Sequence, residues 1–250
     1  MVTYRLDIAY LGGGFHGWAA QPSVKTIQGE LENALHRITG HKATLAVAGR
    51  TDAGVHARAQ VASFELPEQV QESKVVNGLN SLLGPEMAVQ SCRLVEDGFH
   101  ARFSACWRSY RYLVLSAETP DPFRAATTWH YPARLDVVAM DAAVRHLVGE
   151  HDFASFCRVP PGGTARRRVL EAGWMMGDDQ LAVLTIAANS FCHQMVRSVA
   201  GFSTEVGRGR VEPAAVPDII EKRDRSAARR VAPPHGLTLW QVGYEEWPNE

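Results

Sequence analysis

The residues Ala48-Gly49-Arg50-Thr51-Asp52-Ala53-Gly54-Val55-His56-Ala57 place one carboxylate in the middle of a short loop between two strand-like segments. Glycines at 49 and 54 permit a tight backbone path, and the small side chains between them let a ligand come close. An ionised carboxylate displayed this way can attack an electrophilic carbon or remove a proton. Taken alone, Thr51-Asp52-Ala53-Gly54 is more often a plain turn in which the Asp bonds its own backbone. Tyr110 and Tyr112 alternate along one strand-like segment and share a face, where either could be core packing. Arg197 lies in a helical segment, where a solvated surface charge is an equally good account. His56 reads as a structural loop residue rather than a base.

Other chemistries find little support. Cys92, Cys106, Cys157 and Cys192 form no C-x-x-C pair, so they are expected to be reduced and structural. The ten histidines show no H-E-x-x-H or comparable ligand spacing, and no metal site is expected. With 26 basic against 27 acidic residues, composition gives no global signal for nucleic acid. Locally the balance differs, since 12 Arg or Lys face 8 Asp or Glu between Arg158 and Arg230, including the run Arg166-Arg167-Arg168. At 46% hydrophobic and 21% charged the chain is too apolar for disorder. No apolar run reaches the roughly 20 residues that cross a bilayer, and the start lacks a secretion signal, so a cytoplasmic protein is expected.

Two sets of elements must position the candidate residues. Tyr4, Leu6, Ile8 and Tyr10 alternate with polar residues, which predicts a half-buried strand over 2–10. Ile27, Leu31, Ala34, Leu35 and Ile38 recur at helical spacing behind a Thr26 cap and before Gly40. Strands over 43–48 and 59–65, a helix over 69–83 and a strand over 87–95 complete a β-α-β-β-α-β order. The second part repeats that pattern: strand 106–116, helix 136–148, strands 168–176 and 180–188, helix 190–206, an extra helix 213–222 and a last strand 237–244. An α+β fold of two ferredoxin-like halves, each an antiparallel sheet with helices on one face, is expected over residues 1–104 and 105–250.

The loop G-R-T-D-A-G-V-H-A resembles the signature loop of TruA-type tRNA pseudouridine synthases. Further similar segments follow in order along nearly the whole chain: Phe15-His16-Gly17-Trp18, Phe99-His100-Ala101-Arg102-Phe103-Ser104-Ala105, Tyr110-Arg111-Tyr112, Asp152-Phe153-Ala154-Ser155-Phe156, Asn189 through Arg197, and Gly236-Leu237-Thr238-Leu239. The first loop departs from the pattern. It has Tyr10-Leu11-Gly12 and Gly17-Trp18-Ala19 where Tyr-Asp-Gly and Gly-Trp-Gln are common, which bears on contacts with RNA rather than on chemistry.

The resemblance implies isomerisation of uridine to pseudouridine at positions 38 to 40 in the anticodon stem-loop of tRNA, with Asp52 as nucleophile. It implies Tyr110 as an aromatic platform against the target uracil and Arg197 as a cation beside the nucleophile, favouring its ionised form. Arg50 would occupy the space of the extruded base, because a stacked uridine must flip out before reaction. The site would lie in a cleft between the halves. The reaction involves no redox change, so no cofactor is implied, and the partners would be tRNA and a second copy of the chain in a homodimer. An RNA-binding module without catalysis would need no Asp52 and would show aromatic RNP motifs, which are not visible. A carboxylate hydrolase would usually need a second carboxylate, where the matched segments carry Tyr and Arg.

Overall fold

A computed structural model describes residues 1–159, 162–228 and 230–248. It is a mixed α+β protein that divides into two compact units, Met1–Cys106 with Leu239–Glu250, and Trp107–Thr238.

The first unit runs β1 (Val2–Tyr10), α1 (Ile27–Thr39), β2 (Ala46–Val47), β3 (His56–Leu66), α2 (Glu72–Leu83) and β4 (Met87–Leu94). β1 is central and pairs antiparallel with β3 and β4, setting Leu6 opposite Ala62 and Cys92. The face predicted from alternation is the buried one, since Tyr4, Leu6, Ile8 and Tyr10 are all in the core. α1 begins where the Thr26 hydroxyl accepts from the Gly29 N–H and ends at Gly40, whose φ of 79° suits glycine. The strand expected over 43–48 shrinks to Ala46–Val47, because the Leu45 N–H is diverted to Glu32 Oε1 at 2.9 Å.

The second unit contains β5 (Trp107–Ser116), β6 (Trp129–Tyr131), α3 (Val137–Arg145), β7 (Gly149–Asp152), β8 (Arg166–Met176), β9 (Leu181–Ala188), α4 (Met195–Gly207) and α5 (Val216–Lys222). β9 pairs antiparallel with β5 and β8, β7 extends β8, and β6 lies parallel to β5. α3 packs on β8 and α4. A last strand, β10 (Leu237–Gly243), starts in this unit and returns to the first, next to β3.

Two expectations need correction. The helix predicted from residue 190 begins at Met195, because Gln194 takes a left-handed φ of 64° and the preceding residues form a loop. The cysteines are not all reduced: Cys157 and Cys192, 35 residues apart, are disulfide-bonded. Local motif spacing says nothing about a pair brought together by tertiary structure, here beside the backbone bridge between Arg158 and His193.

Burial sets an alkaline limit on stability. It pushes the Tyr10 phenol up to about 12 against its hydrogen bonds to Thr51 and Gln60, and the Cys92 thiol up to about 12 with help from Glu72. Tyr112 is also raised by burial, against the pull of Arg197. The native state keeps protons that the unfolded chain releases at its ordinary pKa values of about 8.5 and 10. The contribution of these groups to stability is therefore fully present below about pH 8 and should be lost as pH rises through about 9 to 12. Urea midpoints measured from pH 7 to 11 should decline, and less steeply in Cys92→Ala; a flat profile would mean that these groups are not buried in solution.

Candidate active site

Asp52 lies in the loop between β2 and β3, partly exposed, with Arg50 exposed two residues before it. The loop backbone is held from several sides. Trp18 N–H donates to the Thr51 carbonyl at 3.0 Å, and Val55 N–H closes a turn on the Asp52 carbonyl at 3.1 Å. Gly54 completes this turn with a φ of 78°, a conformation that side chains disfavour. His56 is buried, and its Nδ1 accepts from the Gly12 N–H at 2.9 Å, so its ring links two loops.

The Gly-rich first loop is a buttress for the Asp52 loop, a role that sequence reading missed. A Cβ at Gly12 would stand 2.0 Å from the Val55 carbonyl oxygen, and one at Gly17 would stand 3.0 Å from that of Thr51. Main-chain atoms cannot rotate aside as a side-chain end can. Gly12→Ala should therefore displace the Asp52 loop, costing about 1–3 kcal/mol as overpacking does. A lower melting temperature with turnover down by roughly tenfold or more is the expected outcome of thermal melts and rate assays. Wild-type turnover in this variant would show that the two loops are not locked together.

In the second unit Tyr110 is on β5, opposite Ile186 of β9. Its ring meets Phe191 edge-on, with centroids 5.1 Å apart and planes at 86°. Phe191 was legible only as part of a longer matched segment, and the helix expected there disguised it as a helical residue. Tyr112 is wholly buried and its hydroxyl donates to the Pro233 carbonyl at 2.8 Å, in keeping with core packing. Gly236 is required beside it, since a Cβ there would come within 2.6 Å of the Tyr112 ring.

Arg197 sits on the first turn of α4. Its Nε donates to the Ala232 carbonyl at 2.9 Å, while Ala232 N–H donates to the Arg197 carbonyl at 2.9 Å. One backbone segment thus grips the residue at both ends and sets the direction of its guanidinium. That charge pulls on the buried Tyr112 phenol. Among the described residues no group of three or more His, Cys, Asp or Glu is placed to hold a metal ion, and no helix is long and apolar enough to cross a membrane.

A family model described as tRNA pseudouridine synthase matches residues 8–104 and 143–245, segments that include Arg50, Asp52 and Arg197 but not Tyr110. The chain is 44% identical over 253 residues to tRNA pseudouridine synthase A of Streptomyces avermitilis, covering 97% of this chain and 88% of that protein. It is 42% identical to the protein of the same name from Leifsonia xyli subsp. xyli, covering 96% and 91%, and 40% identical to that from Bacillus subtilis, covering 96% and 98%. These likenesses define an RNA-modifying isomerase. The chain belongs to the tRNA pseudouridine synthase family, which converts uridine to pseudouridine in tRNA.

Proposed function

We propose that the uridines modified are those at positions 38 to 40 of the anticodon stem-loop, with Asp52 as the nucleophile. The observation that carries this reading is the Asp52 loop itself, whose backbone is held at Thr51, Asp52 and Val55 while the carboxylate-bearing residue stays partly exposed. In the reaction the bond between the sugar and the uracil nitrogen breaks, the uracil turns, and its carbon five joins the same sugar carbon. Attack of Asp52 on the sugar, attack on the base and proton removal in a glycal route all begin from an ionised carboxylate. Tyr110 serves as the platform for the uracil, Arg197 as the cation serving the carboxylate, and Arg50 as the filler for the space the base leaves. The two units are two ferredoxin-like halves, and the enzyme works in the cytoplasm as a homodimer without a cofactor. Incubating purified protein with unmodified tRNA and mapping pseudouridine by carbodiimide-based primer extension tests the reading. Stops at 38 to 40 are expected; tight binding without isomerisation would favour an RNA-binding module.

Binding should run through local basic surface, since the formal net charge is only -1. Along β8, Arg166 and Arg168 are exposed, whereas Arg167 alternates away from them and is partly buried. Arg166→Ala with Arg168→Ala should therefore weaken tRNA binding and flatten the dependence of log Kd on log salt by about one to two, since each neutralised phosphate contributes about 0.7–0.9. An unchanged slope in salt titrations would assign both arginines to solvent.

A further inference from the structure

Beneath the Asp52 loop lies a chain of three buried polar side chains, Gln60, Tyr10 and Thr51, drawn from β3, β1 and the loop itself. Gln60 is 0% exposed. Its Nε2 donates to the Gly49 carbonyl at 2.8 Å and to the Tyr10 hydroxyl at 3.2 Å, while its Oε1 accepts from the Val61 N–H at 3.2 Å. The Tyr10 hydroxyl is 2.8 Å from Thr51 Oγ1.

Donor counting fixes the orientation of the Gln60 amide. A backbone carbonyl can only accept, so the amide nitrogen of Gln60 must face Gly49, and turning the amide over would set two acceptors against each other. The second amide hydrogen then goes to the Tyr10 oxygen. The Tyr10 and Thr51 hydroxyls share the next hydrogen bond, which either can donate. The hydrogen bonds thus link Gln60 through Tyr10 to Thr51 without a break. The chain fastens the loop at Gly49 and at Thr51, the residues on either side of Arg50, and Thr51 immediately precedes Asp52.

We propose that Tyr10 and Gln60 are positioning residues for pseudouridine formation, holding the Gly49–Thr51 segment so that Arg50 and Asp52 keep their working orientation. The proposal rests on the reading of Asp52 as nucleophile. Both residues are buried under the loop. They act by preorganisation: a carboxylate held in place need not be ordered at the moment of reaction, and small misplacements of reacting groups cost large factors in rate.

The test uses the full-length protein and unmodified tRNA transcript. Tyr10→Phe deletes the hydroxyl and keeps the ring, which packs 6.2 Å from Trp18. Gln60→Met removes the amide with similar length, and Thr51→Val removes the hydroxyl with similar shape. Each should lower the single-turnover rate by roughly tenfold to a hundredfold, with the Kd for tRNA changed by less than about threefold. Members of one network should also be non-additive, so Tyr10→Phe with Thr51→Val should be little worse than the worse single variant. Melting temperatures taken in parallel separate positioning from folding. Rates within about twofold of wild type, or losses that merely follow the unfolded fraction, would overturn the proposal while an inactive Asp52→Asn left the nucleophile reading intact. An active Asp52→Asn would overturn both.

Discussion

Asp52→Asn is expected to be inactive, below a few per cent of wild-type turnover, while binding tRNA within about tenfold of wild type. The amide has nearly the shape of the carboxylate and should leave the loop in place, since the backbone bonds at Thr51, Asp52 and Val55 do not depend on the side-chain charge. It cannot act as an anionic nucleophile or as a base, whichever of the three routes operates. A tenfold change in Kd corresponds to about 1.4 kcal/mol, the size of one modest contact among the many an RNA makes. Pseudouridine yield and filter-binding affinity should therefore separate cleanly in this variant. Turnover above a few per cent would remove Asp52 from the chemistry.

Arg197→Met should be the next most damaging change, with the single-turnover rate down by about a hundredfold or more, as when one preorganised electrostatic group is removed from an active site. Arg197→Lys should recover only part of that loss. Lysine restores the charge, but it has no counterpart of the Nε that donates to the Ala232 carbonyl, so its ammonium is not aimed by the backbone. The local fold should survive both changes, because the return bond from Ala232 N–H uses the Arg197 carbonyl and not its side chain. Single-turnover rates with tRNA well above its Kd, alongside melting curves, distinguish the outcomes. Equal rates for the Met and Lys variants would mean that the direction of the guanidinium, and not its charge, is what matters. A wild-type rate for Met would return Arg197 to a structural role.

How much of this was legible in the sequence depended on the range of the interaction. β1 could be read because alternation over Tyr4 to Tyr10 is a local signal, and α1 because Thr26 and Gly40 bracket it. β7 could not, since Gly149-Glu150-His151-Asp152 has no alternation and is a strand only through pairing with Arg166–Val169. The start of α4 was misplaced because apolar Phe191 mimics a helical position, while the positive φ of Gln194 leaves no mark in the residue type. The Asp52 loop stood out by the length of its matched run. Its supports did not: Tyr10 and Thr51 are 41 residues apart, Tyr10 and Gln60 are 50 apart, and Arg197 and Ala232 are 35 apart. Interactions at those separations are products of the fold and have no sequence spacing to reveal them.

The return of β10 to the first unit bears on how the protein is made. Residues Leu239 onward emerge from the ribosome only after all of Trp107–Thr238. Until then the side of β3 away from β1 is met by the short β2 and by the Ala48 N–H, which donates to the Val61 carbonyl at 2.9 Å. A nascent first unit therefore waits with the edge that β10 will cover still open while more than a hundred further residues are translated, about 7–26 s at roughly 5–20 residues per second. Open edges invite pairing with other chains. The strand that follows the Asp52 loop, although paired with β1, thus gains its second full-length neighbour only after the whole of the second unit has been made.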